Sequence, residues 1–175
     1  MKRLVLDRND LNTRGKMSQL QHITQRVNYL SMARCNLKDD AGSYLSYGIQ
    51  PHSFQGMTHA RTANFHGCRT LILHHNHLSD EAAKSFADSL SKPNLGLKHL
   101  DLSHNDINDA GGELLMTCLT KNTSLIYLNL SKNNLKNTTG RVMVQSMKHN
   151  ETLQVLNVDN NEIIPTLIEQ VAKTL

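Results

Sequence analysis

At 175 residues and 38% hydrophobic content, the chain can bury one continuous core, and no stretch approaches the roughly 20 apolar residues of a transmembrane helix. A formal net charge of +4 is a mild basic bias that its ten histidines would deepen in weak acid. Three cysteines cannot all pair within one chain, and Met1-Lys2-Arg3-Leu4-Val5-Leu6-Asp7 holds no signal-peptide core, so a secreted disulfide scaffold is not expected.

One pattern recurs along the chain. It opens as Met1-Leu4-Leu6-Asn9-Leu11 and continues as Val27-Leu30-Met32-Cys35-Leu37, with Cys35 in the asparagine slot. Cys68-Leu71-Leu73-Asn76-Leu78 follows, then Leu97-Leu100-Leu102-Asn105-Ile107, Leu125-Leu128-Leu130-Asn133-Leu135 and Leu153-Leu156-Val158-Asn161-Ile163. Asn105, Asn133 and Asn161 stand 28 residues apart. A fixed period of this size predicts a solenoid, here a single domain over 1–175 with six repeats starting near 1, 27, 68, 97, 125 and 153.

Alternating leucines put one face of a short strand into the core. The asparagine then turns the chain, and its amide can satisfy backbone groups that the coil would leave unpaired, so successive asparagines form a ladder. A small thiol with a weak donor is tolerable in that slot. Cys35 and Cys68 are expected to face the core as reduced, buried thiols of a cytosolic or nuclear protein.

Eight and twelve residues after the last motif position come Leu45 and Ile49, Phe86 and Leu90, Leu115 and Leu119, Met143 and Met147, Val171 and Leu175. A spacing of four keeps them on one helical face, so each repeat is a strand followed by a helix. Gly15, Ala41, Ala82 and Gly111 stand where each helix starts close to its neighbour. Ser79-Asp80-Glu81 and Asn108-Asp109 are expected to cap the helices they precede.

Two departures interrupt the pattern. Residues 50–67 lack helical or strand period and read as an insertion, with Phe54, Met57 and Phe65 as possible loop contacts for a partner. The first strand begins straight after Met1 and the sixth helix reaches its core position at Leu175, so both ends look uncapped and are expected to be covered by neighbouring subunits.

The 28-residue repeat with Asn or Cys in the turn and a full helix resembles the ribonuclease-inhibitor-like class of leucine-rich repeats. That class includes ribonuclease inhibitor, the Ran GTPase-activating protein, tropomodulins, NOD-like receptor sensor domains and axonemal dynein-regulatory subunits. The resemblance implies an α/β horseshoe with a parallel sheet inside and helices outside. It also implies partner binding on the concave sheet or adjoining loops, and a cytoskeletal or axonemal setting in the cytoplasm, with the nucleus as an alternative.

The register identifies the outward strand positions. The expected partner-binding residues are Tyr29, Ser31, Ile72, His74, His99, Asp101, Tyr127, Asn129 and Asn157, with tyrosine offering large area and a polar tip. Just before each turn residue stand Arg8, Arg34, His75, His104 and Lys132, a basic rim suited to an acidic protein or a nucleic-acid backbone. Without interleaved aromatics, the rim argues against nucleic acid. His74 and His75 are expected on different faces, which disfavours a metal site. No catalytic motif is present, and His99, Asp101 and Ser103 lie strung along one strand without an oxyanion donor.

The sequence thus predicts a non-enzymatic interaction scaffold with no cofactor, no metal and a protein partner. A small-GTPase regulator resembling the Ran GTPase-activating protein is the alternative, although the acidic tail of that family is missing here.

Overall fold

The structure, a computed structural model, describes residues 2–12, 18–50, 67–92 and 96–174. Strands and helices alternate throughout: β1 (Arg3–Val5), α1 (Ser18–Arg26), β2 (Tyr29–Ser31), α2 (Asp39–Gly48), β3 (Thr70–Ile72), α3 (Asp80–Leu90), β4 (His99–Asp101), α4 (Asp109–Leu119), β5 (Tyr127–Asn129), α5 (Asn137–Met147), β6 (Val155–Asn157) and α6 (Pro165–Ala172). The strands form one parallel sheet in chain order. Its register follows the repeat, with Leu4, Leu30, Leu71, Leu100, Leu128 and Leu156 side by side. Each helix packs on the next. Strands sit about 4.8 Å apart whereas packed helices need about 8–10 Å, so the sheet lies on the concave side.

The core runs between the two layers. Leu30, Leu71, Leu100 and Leu128 are fully buried, as are the helical residues Leu45, Phe86, Leu90, Leu115 and Leu119. Leu175 lies outside the described residues, as does Gly15. Helices α2 and α3 approach so closely that a Cβ on Gly42 would meet the Ala82 Cβ at 2.6 Å. The insertion falls between α2 and β3, and Phe54, Met57 and Phe65 lie outside the described residues. Strands β2 and β3 nevertheless pair in register, Tyr29 against Thr70.

The asparagine ladder works across repeats. Asn105 Nδ2 donates to the carbonyls of Leu102 in its own rung and Leu73 in the rung before, while its Oδ1 accepts from Leu78 N. Asn76, Asn133 and Asn161 bridge in the same way. Cys35 keeps half of this role: its thiol donates to Leu6 O at 3.1 Å. A thiol has no amide oxygen to offer in return, so Leu11 N donates to the Cys35 backbone carbonyl instead.

The helix caps differ from expectation. Neither Ser79 nor Asn108 caps its own helix through its side chain. The cap comes instead from the helix before. Asp39 accepts from Ser79 N, Ser79 Oγ and Ala82 N at the start of α3. Asp80 accepts from Asn108 N and Gly111 N at α4, and Asp109 from Lys136 N and Thr139 N at α5. An aspartate in the first turn of one helix thus lies level with the free N–H groups of the next, because the repeats stack with their helix starts aligned. Gly111 leaves room for this: a Cβ there would stand 2.7 Å from Asp80 Oδ1.

A second asparagine ladder, which the sequence reading missed, seals the opposite edge. Asn122 Nδ2 donates to Leu90 O and Asn150 Nδ2 to Leu119 O, and each Oδ1 accepts from the backbone N–H that opens the next strand segment, Leu125 or Leu153. The 28-residue spacing of Asn122 and Asn150 was the available signal.

Candidate partner-binding surface

Three rows of side chains cross the outer face of the sheet. The first runs Arg3, Tyr29, Thr70, His99, Tyr127 and Val155, and the second Val5, Ser31, Ile72, Asp101, Asn129 and Asn157. The third, one step beyond the strands, runs Asp7, Ala33, His74, Ser103, Ser131 and Asp159.

The first row is the most open to a partner. The Arg3 guanidinium lies over the Tyr29 ring at 4.4 Å, a cation–π contact. His99 and Tyr127 stand 6.0 Å apart between ring centroids, tilted by 36°. Burial and then the Asp101 carboxylate push the Tyr127 phenol up, so it stays protonated as a donor at neutral pH. Val5 and Val155 flank the sheet face, each nearly half exposed.

The inner positions are drier than expected. Ser31, placed among the contact residues by alternation, is 3% exposed, and its hydroxyl donates to Asp7 Oδ1. Ser103 is likewise buried and donates to Asp101 from both its N–H and Oγ. These short side chains belong to the floor of the surface. Ile72, Asp101, Asn129 and Asn157 remain partly accessible above it. Asn129 and Asn157 each accept from the backbone N–H two residues on, Ser131 or Asp159, which holds their amides in place.

The rim residues share a backbone conformation that the sequence did not reveal. Arg8, Arg34, His75, His104, Lys132 and Asn160 all have positive φ, between 52° and 62°. Each turns the chain from strand into the asparagine loop, and for the first five the N–H still donates to the neighbouring rung. The left-handed turn also corrects the expectation for the histidines. It swings His75 back beside His74, with their Nδ1 atoms 2.9 Å apart and their rings edge to face. His75 stacks on His104 with centroids 3.7 Å apart. Among the described residues no group of three or more ligand side chains could hold a metal ion.

The three thiols, Cys35, Cys68 and Cys118, are free and buried. Burial pushes the Cys68 and Cys118 thiols up to about 12. Among the described residues no helix is long and apolar enough to cross a membrane.

A sequence profile of the leucine-rich repeat matches residues 94–116 and 121–138. No curated protein matches the chain. Among solved structures, the chain resembles Leiomodin-1 Actin-Binding Site 2 with a TM-score of 0.69 at 13% identity, covering 91% of this chain and 84% of that one. It also resembles the tropomodulin C-terminal domain of Caenorhabditis elegans, with a TM-score of 0.55 at 12% identity over 100% of this chain and 82% of that one. Six parallel strands, the cross-rung asparagines and these likenesses show the fold to be a leucine-rich-repeat solenoid of about six repeats.

Proposed function

We propose that this protein is a non-catalytic scaffold that holds a protein partner on its concave sheet, as part of a cytoskeletal assembly. The row from Arg3 through Tyr29, His99 and Tyr127 to Val155 carries the reading. It sets aromatic, cationic and apolar side chains on a sheet whose inner strands are hydrogen-bonded on both sides, so association orders little that was free. The cytoskeletal setting is supported by the likeness to the leiomodin segment described as an actin-binding site.

Co-sedimentation with filamentous actin and affinity capture from cytoskeletal extract test the proposal. The wild-type chain is expected to retain a partner that Tyr127→Ala and His99→Ala release. A partner held undiminished by the double variant would remove the concave row from the interface. Stimulated GTP hydrolysis by an added small GTPase would replace the scaffold with a regulator.

A further inference from the structure

The rim residues stand where the chain pays a conformational penalty for having them. A left-handed residue other than glycine costs about 1–2 kcal/mol, which asparagine largely escapes through local hydrogen bonding. The sixth rung uses Asn160 at this place, as expected. Rungs one, two and five use Arg8, Arg34 and Lys132, long cations with no such advantage. Histidine tolerates the region better, so His75 and His104 weigh less in this argument.

Among the described residues, only Arg34 of these three cations has an internal side-chain partner. Arg8 and Lys132 make no side-chain hydrogen bond or ion pair with any described residue. Of the acids in adjoining rows, Asp7 accepts from Ser31 and Ala33, Asp101 from Ser103, and Asp106 faces His77 at 3.5 Å, while the exposed Asp159 forms no ion pair with Lys132. Like charges in neighbouring rungs repel rather than stabilise. The row is continuous, since the N–H of each member is bonded to the next rung, and a rung repeats about every 4.8 Å. Carboxylates three or four residues apart on a helix recur about every 5 Å, a close match to that spacing.

The middle of the row has an internal latch. Arg34 Nη2 donates to His75 Nε2 at 3.2 Å, and a guanidinium cannot accept. His75 therefore carries its proton on Nδ1, which donates to His74 Nδ1. Protonating His75 at Nε2 removes the acceptor and frees Arg34. Burial first, then His104, Arg34, His74 and Lys132, disfavours that proton. On His104 burial and then Lys132, His74 and Arg34 act the same way, against Asp101. An anion laid along the row reverses these repulsions.

We propose that Arg8, Arg34, His75, His104 and Lys132 form a docking ribbon for an acidic, glutamate- or aspartate-rich helical segment of a protein partner, and that proton uptake by the two histidines accompanies its binding. The proposal deepens the scaffold reading by giving the partner's chemistry, but it uses a different set of side chains.

The test uses the full chain and a fluorescein-labelled helical peptide of about 14 residues with Glu at every third or fourth position. The Glu peptide is expected to bind at low salt, and its Gln counterpart to fail. Affinity should rise several-fold between about pH 7.5 and about pH 5.5, where glutamate stays ionised, and His75→Gln with His104→Gln should flatten that rise. Arg34→Asn with Lys132→Asn should weaken binding at least tenfold while leaving Tm unchanged or higher, since asparagine suits the left-handed turn. Undiminished binding by that pair, or equal binding of the Gln peptide, overturns the ribbon. A single-stranded oligonucleotide bound more tightly than the Glu peptide overturns the acidic-protein assignment. A pH-independent affinity overturns the proton linkage. Tyr127→Ala releasing the cellular partner while the asparagine pair retains it would leave the concave scaffold standing without the ribbon.

Discussion

Two rows run side by side along the edge of this sheet, one residue apart, and they are opposites. In the asparagine row Asn76, Asn105 and Asn133 are buried, uncharged and bonded to neighbouring rungs. The left-handed row beside it is cationic or imidazole for five of six rungs, and its main internal contacts are the Arg34–His75 bond and the histidine stack. Adjacent positions of one repeat therefore divide the work. One keeps the rungs together, and the other gathers charge along the rim.

The largest way to break this contrast is Asn105→Ala. It strands the Leu78 N–H in the core, while Leu73 O and Leu102 O keep the amides of Asn76 and Asn133, and should cost about 2 kcal/mol in urea unfolding. A loss below about 1 kcal/mol would show that the ladder is replaceable. Next comes the capping aspartate. Burial opposes ionisation of Asp109, but bonds from the Thr139 and Thr138 hydroxyls and the Lys136 and Thr139 N–H groups outweigh it and hold the carboxyl at about 2. Because the folded value lies below the unfolded one of about 4, this stabilisation is present above about pH 4 and is lost as pH falls towards 2. Asp109→Ala should cost about 1 kcal/mol at neutral pH and reduce the steepness of acid unfolding.

The sign reverses in the left-handed row. Arg34→Asn should raise stability by ~0.5 kcal/mol, measured in the same urea titration. Tyr127→Ala should change stability by less than about 1 kcal/mol while releasing the partner, which separates interface from core. The smallest effect is chemical: iodoacetamide should label Cys68 and Cys118 only at the rate of unfolding, since burial keeps both thiols protonated.

Much of this architecture was legible in the repeat. Leucine alternation located all six strands, and the eight-and-twelve rule located the buried faces of α2 to α5, because burial imposes a period that side-chain polarity records. The concave face was legible only as a list of positions. Alternation puts Ser31 and Tyr29 on one face alike, but a short hydroxyl beside Asp7 sinks into the floor while a phenol stands above it. The caps were misread because local sequence suggests that a Ser-Asp pair serves its own helix. Only stacking brings Asp39 to the start of α3 and Asp80 to the start of α4.

By itself, then, the sequence determined the repeat, the strand–helix alternation and the buried faces, since each rests on periodicity along one chain. The tertiary structure decided which residues link one rung to the next: the aspartate caps, the second asparagine ladder, the left-handed row and the meeting of His74, His75 and His104. Those contacts join residues tens of positions apart, or turn on a φ angle, and of them only the Asn122–Asn150 spacing left a mark in the sequence.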